Sequence, residues 1–309
     1  MSRNINIDIY QIAKTQVDRT AVRLWLDRIG VSPEFEIPSE EAVTDPALLI
    51  AMAAKRCYLS FEKSLNPNVS KVRTDMVEYL DNILKSGHGS VMEHSVYTFA
   101  FEGISRVFSA EMNRHRAGVG ISEASMRYIR YTDIPWWIPD SLKLTTEEQA
   151  AVVKAQAISN PASYNPHVVG DVNQLLSPPE LEAFKLACKK VQTLAVFDRH
   201  FGQTERNYQE LQDIWASELA PTSGFHGKKQ ITSMMRRIIP MGVATGAVYS
   251  LNMRALRHII ALRASEAAEE EILHVFCRVA KLMIESEPML FGDFTQDEQG
   301  YMRPKYSKV

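Results

Sequence analysis

The sequence is poor in cysteine, in net charge and in long apolar runs. Its three cysteines, Cys57, Cys188 and Cys277, are widely spaced and form no Cys-x-x-Cys pair. Neither a disulfide framework nor a cysteine zinc site is therefore indicated. The 35 basic and 37 acidic side chains leave a formal charge of −2. That balance removes the bulk electrostatic case for a nucleic-acid binder. The longest uninterrupted hydrophobic stretch, Ala47–Ala54, has eight residues, against roughly 18–20 for a membrane helix. The opening MSRNINID has no apolar core of a signal peptide. The expected location is the cytoplasm, with no membrane and no nucleic acid as partner. What is present is ordinary: 45% hydrophobic and 23% charged residues over 309 positions, enough apolar mass for a buried core.

Periodicity gives a coarse map. Residues 5–13 alternate apolar and polar and read as a strand, and 34–44 as a loop. Thr44-Asp45-Pro46 offers a cap and a first-turn proline for a helix running to Tyr58. Residues 74–85 place Val77, Leu80, Ile83 and Leu84 on one helical stripe, and Gly87 is placed to end it. HSVYTFAFE (94–102) reads as a strand, and Ser105 caps a short helix to Arg114. Residues 115–122 read as a loop and 123–131 as a strand, with Ser125, Arg127 and Ile129 on one face. Helices are expected at 146–158, 180–201, 205–219, 228–238, 243–263 and 266–286, the last with a core stripe of Ile272, Phe276, Val279 and Met283. The tail from Gly292 reads as polar and loose. The fold class is α+β, a small mixed or antiparallel sheet with a large helical part.

Two segments carry chemistry. Gly87-His88-Gly89-Ser90-Val91-Met92-Glu93-His94 packs two histidines, a glutamate and two glycines into eight residues. Glycine lets backbone approach a ligand, and His with Glu suits proton transfer or metal binding. Read as a strand entrance, Glu93 and His94 point to opposite sides, against shared metal ligation. The competing reading is a helix stop with satisfied polar groups. The second segment, Asn113 to Tyr128, holds Arg114, His115, Arg116 and Arg127 with Gly118, Gly120, Ser122, Ser125 and Glu123. Consecutive Arg-His-Arg repels itself unless an anion is near, and guanidinium groups with a glycine loop suit phosphate. Against it stands a solvated basic turn.

These residues resemble a family. Arg114-His115-Arg116, an eight-residue spacer and Ser125 resemble the signature of the flavin-dependent thymidylate synthases. GHGSVMEHSVYTF before it, and Arg236-Arg237-Ile238-Ile239-Pro240, Ser250–Arg254 and Leu262-Arg263-Ala264 after it, resemble further blocks of that family in the same order. The likeness is clear over 54–131 and 232–286. It implies a homotetramer with sites shared across subunits, converting dUMP to dTMP. Methylenetetrahydrofolate would supply the carbon, FAD the hydride, and NADPH would re-reduce the flavin. Carried over, Arg114, His115 and Arg116 would contact FAD, with Ser90, Glu93 and Ser122 along it and Asn252 and Arg254 at its far end. Glu111, Arg114, Glu123, Ser125, Arg127, Arg236 and Arg263 would hold dUMP, Arg263 also polarising the uracil. His88 would face the folate side. The catalytic set is Arg263, His88 and Ser125, with no metal. The expected organisation is one family-like domain over 1–309, with a helical insertion at about 132–231. On one continuous helix, the nine residues from Arg254 to Arg263 turn them to opposite faces at about 100° per residue.

The sequence also departs from the family. Glu111 stands where Gln is usual, Ser122 where an Asn is frequent, and Ala267 where a cofactor-side His is common. Glu111 motivates an alternative: a flavin-dependent methylase or hydroxymethylase of another pyrimidine nucleotide. From other classes come a non-catalytic nucleotide- or RNA-binding protein, which would not need the Gly-His-Glu-His block, and a metal hydrolase on His88, Glu93, His94 and His115. The remaining histidines (His167, His200, His226, His258, His274) read as surface or core, and Trp136-Trp137 as a packing anchor. Cys57 reads equally as a cofactor contact or a buried apolar group, while Cys188 and Cys277 fall on helical core stripes.

Overall fold

A computed structural model describes residues 5–156, 160–165 and 172–308; His167 lies outside them. In chain order the elements are β1 (Asp8–Lys14), α1 (Arg19–Arg28), α2 (Asp45–Tyr58), α3 (Met76–Lys85), β2 (Val96–Ser105), α4 (Arg106–Met112) and β3 (Val119–Glu123). There follow α5 (Thr146–Ala155), α6 (Val172–Leu175), α7 (Pro178–Ile214), α8 (Ala216–Leu219) and α9 (Phe225–Met235). Then come β4 (Ala244–Asn252), α10 (Met253–Arg263), α11 (Glu270–Ser286), α12 (Pro288–Phe291), β5 (Phe294–Gln296) and β6 (Met302–Pro304). The α+β class holds. The chain divides into two compact units.

The unit of Ile7–Glu102, Phe108–Glu123 and Gly246–Val309 holds most of a four-stranded sheet ordered β1-β2-β4-β3. β1 lies antiparallel to β2 (Asp8 opposite Glu102) and β3 antiparallel to β4 (Val119 opposite Leu251). Period-two side chains put Tyr97, Phe99 and Phe101 of β2 and Tyr249 and Leu251 of β4 into the core. Phe108 of α4 stacks on Phe276 of α11 at 6.3 Å, and the expected stripe Ile272, Phe276, Val279 and Met283 is fully buried. Emptying one such aromatic position costs about 3–5 kcal/mol. Glu269 caps α11 by accepting from Glu271 N and Ile272 N.

In the same unit Pro46 sits in the first turn of α2, while Thr44, at the N-cap position, makes no side-chain capping bond and donates its hydroxyl to Glu287. In α3, Leu80, Ile83 and Leu84 are buried, but Val77 faces solvent at 57% exposure and Tyr79 takes the inner position. The tail is not loose. β5 and β6 form a hairpin, Met302 is buried, and Asp293 before it receives both Nη atoms of the buried Arg257 at 2.7 and 2.9 Å.

Three expectations near the sheet are overturned. The segment expected as a helix over 243–263 is strand β4 followed by α10. Its alternating burial was masked by alanine and glycine, which carry little strand propensity. The loop expected at 115–122 contains β3, and the strand expected at 123–131 is a turn. β3 is a short, mostly exposed edge strand, so no apolar alternation marks it.

The other unit, Gly103–Val107 and Ala124–Thr245 with residues 5 and 6, is mainly helical. Its spine is α7, a 37-residue helix that spans both expected helices, 180–201 and most of 205–219. Glu180 accepts from the Ser177 backbone and hydroxyl at its start. Trp136 anchors packing as expected, stacking on Phe201 at 4.8 Å, and a second cluster gathers Tyr208, Leu219 and Met235. Cys188 is buried against α5 and α6.

Candidate functional site

The Gly-His-Glu-His segment begins where α3 stops. Gly87 has φ +66°, and a Cβ there would lie 2.8 Å from the Lys308 carbonyl oxygen, so only glycine fits. Gly89–His94 then forms a 3₁₀ helix. Glu93 and His94 therefore do not alternate across a strand, which corrects the expected opposite-face argument. The imidazole of His88 stacks on Tyr58 with centroids 6.0 Å apart. His88, Ser90, Tyr58, Cys57 and Arg254 line a cavity of about 320 Å³. Cys57 is exposed, which removes the buried reading for it. Arg254 Nη1 donates to Glu93 Oε1 at 2.6 Å, and both side chains stay about half exposed.

The Arg-His-Arg segment follows α4. Gly118 has φ +71°, and a Cβ there would sit 2.4 Å from Asn252 Nδ2. Asn252 is the cap of α10: its Oδ1 accepts from Ala255 N at 2.8 Å, and its own N–H donates to Gly118 O at 2.9 Å. Arg114, Arg116 and Ser122 are exposed, and Glu123 ends β3.

α10 is continuous from Met253 to Arg263, as the two-face expectation needs. Arg254 reaches the 88–93 segment, while Arg263 reaches elsewhere. Its Nε donates to His115 Nε2 at 2.9 Å and its Nη1 to Glu111 Oε2 at 2.8 Å. Burial, then the Arg263 charge, pushes the His115 pKa down to about 4. His115 is thus a neutral acceptor whose proton sits on Nδ1. His258, on α10, lies 6.3 Å from the His115 ring and had no ligand-like spacing to reveal it.

Ser125, Arg127 and Arg236 belong to the helical unit. Tyr128 N and Ile129 N both donate to Ser125 O, closing the turn that replaces the expected strand. Sequence reasoning missed the neighbours: Tyr128 stacks on Phe225 at 5.9 Å, and Lys229 Nζ lies 5.2 Å from the Tyr128 ring. Phe225 and Lys229 sit four residues apart on α9, one face of a helix, and that spacing was the available signal. Among the described residues, no three His, Cys, Asp or Glu side chains gather as a metal site. No helix among them is long and apolar enough to cross a membrane.

Guanidinium groups held beside glycine-bearing backbone suit phosphate and carboxylate ligands, and the fold is α+β. A profile of the family described as thymidylate synthase complementing protein matches residues 41–289. The chain belongs to that family. A flavin-dependent thymidylate synthase of Corynebacterium aurimucosum is 28% identical over 256 residues, 82% of each chain. Another, from Mycolicibacterium gilvum, is 29% identical over 267 residues, 84% of this chain and 86% of its own. Among solved structures, the UMP/dUMP methylase PolB from Streptomyces cacaoi bound with 5-Br dUMP matches with a TM-score of 0.54 at 15% identity, covering 94% of this chain and 96% of that one. At that identity the likeness concerns the fold alone.

Proposed function

We propose that this protein is a flavin-dependent thymidylate synthase that methylates dUMP to dTMP, with methylenetetrahydrofolate as carbon donor and NADPH as reductant. The observation that carries the reading is α10. This eleven-residue helix delivers Arg254 to the His88–Glu93 segment and Arg263 to Glu111 and His115. The residues fit FAD: a cavity walled by an arginine, a serine and a histidine offers donors to its anionic and carbonyl groups. Ser90, Glu93, Arg254 and Asn252, with Arg114, His115, Arg116 and Ser122, would hold it. When bound, FAD supplies the hydride chemistry that no side chain can.

The chain's own residues orient and balance charge. Arg263 donates N–H groups to a uracil carbonyl. Activating C5 for carbon transfer builds negative charge there, and a fixed guanidinium stabilises it without reorganisation. Arg127 and Arg236 take the nucleotide phosphate, with Glu123 and Ser125 on the same substrate. His88, stacked on Tyr58, flanks the folate side. The same reading makes the protein a cytoplasmic homotetramer with shared sites, and 132–231 an insertion in a single family-like domain. Titration with FAD tests it: one FAD per chain with a bound-flavin absorbance is expected, and absence of FAD affinity overturns it.

A further inference from the structure

Glu111 stands one residue before the end of α4, and Arg263 is the last residue of α10. A guanidinium has five N–H groups. Nε donates to His115, Nη1 to the Glu111 carboxylate, and Nη2 reaches the Glu111 carbonyl oxygen at 3.4 Å. Two N–H groups are left for a ligand. The other carboxylate oxygen of Glu111 lies 4.0 Å from Arg114 Nη1, so one carboxylate faces two arginines. The Arg263 side chain is 14% exposed and that of Glu111 30%, shielded enough for a charge-assisted hydrogen bond to one carboxylate oxygen to fix orientation. The groups facing His115 are Arg263, His258, Glu111 and Arg114, and of these Glu111 alone favours its protonation.

We propose that Glu111 is a positioning residue for Arg263. With His115 accepting from Nε, it fixes the guanidinium plane, so the two remaining N–H groups are aimed at a carbonyl of the ligand and not at its phosphate. This rests on the reading of the ligand as a pyrimidine nucleotide. A glutamine at 111 would keep an acceptor for Nη1 but leave Arg263 with an uncompensated charge. An alanine would remove the anchor as well.

The experiment uses the full chain with E111Q and E111A. Calorimetry measures binding of dUMP and of the uncharged nucleoside deoxyuridine. Nitrogen NMR of His115 reads which ring nitrogen carries the proton, and turnover separates kcat from KM. E111A is expected to weaken deoxyuridine about tenfold, to lower kcat about tenfold or more, and to release the fixed Nδ1–H tautomer. E111Q is expected to restore most of kcat and the tautomer, and to leave the dUMP-to-deoxyuridine affinity ratio within about threefold of wild type. A ratio rising tenfold in E111Q would assign the phosphate to Arg263 and overturn the proposal. So would wild-type kcat and tautomer in E111A. Should the wild type bind no nucleotide, the functional reading fails, while the His115 tautomer in E111A and E111Q still decides whether Glu111 positions Arg263. If E111A does not fold, E111Q supplies the affinity ratio that decides.

Discussion

Arg263, Glu111 and His115 share two formal charges among three side chains, and the neutral histidine is the part most easily measured. Its folded-state pKa of about 4 lies below the ordinary 6.5. Between those values the unfolded chain binds the proton and the folded chain does not. The stability contribution is therefore fully present above about pH 6.5 and is lost as pH falls through about 4. Denaturation at pH 7 and pH 5 should show a wild-type loss that the non-titrating His115→Gln variant lacks; equal losses would contradict the neutral assignment. Replacing Arg263 by Ala should lower kcat by about 10²-fold or more with FAD still bound, since Arg263 does not line the cavity of His88, Ser90 and Arg254. Turnover surviving in that variant would contradict its role. The sequence showed Glu111 to be unusual, but its pairing with Arg263 spans 152 positions, and no local pattern encodes a contact that long.

At the scale of elements, short linkages decide what the arginines can reach. Asn252 ends β4 and caps α10 in one residue, so its loss should loosen the start of the helix that carries Arg254. Asn252→Ala should cost about 1 kcal/mol in chemical denaturation, and Asn252→Asp should recover most of it; no loss would contradict the capping role. Glu287, buried between α11 and α12, accepts from the Tyr97 and Thr44 hydroxyls, and burial raises its pKa above the usual carboxylate range. A raised folded-state pKa means its contribution is present at low pH and is lost as pH rises through that value. Glu287→Gln should therefore gain in melting temperature relative to wild type as pH increases, and a constant difference would contradict this. The long amphipathic helices were legible because their apolar stripes repeat over several turns, as Ile272 to Met283 does. β4 was not, since its alternation is carried partly by Ala244, Gly246 and Ala247. β3 was not, since an exposed edge strand needs no pattern. α7 was read as two helices across the 201–205 region, where Phe201, Thr204 and Tyr208 are buried in one continuous helix.

For the whole molecule, the charge of −2 describes an average and not the site. Acidic side chains cap and flank helices, as Glu269 and Glu180 do, while Arg114, Arg116, Arg254 and Arg263 gather near the glycine-bearing segments of one unit. Ser125, Arg127 and Arg236 belong to the other unit, which also carries the exposed Tyr128–Phe225 stack. The sparse cysteines are scattered: Cys57 lines the cavity and Cys188 packs a helical core. The most direct test of the account is a turnover assay of the full chain with methylenetetrahydrofolate, FAD and NADPH, offering dUMP, UMP and dCMP in parallel and reading product mass. The account predicts dTMP from dUMP. No product from dUMP, or a methylated or hydroxymethylated product from dCMP alone, would contradict it.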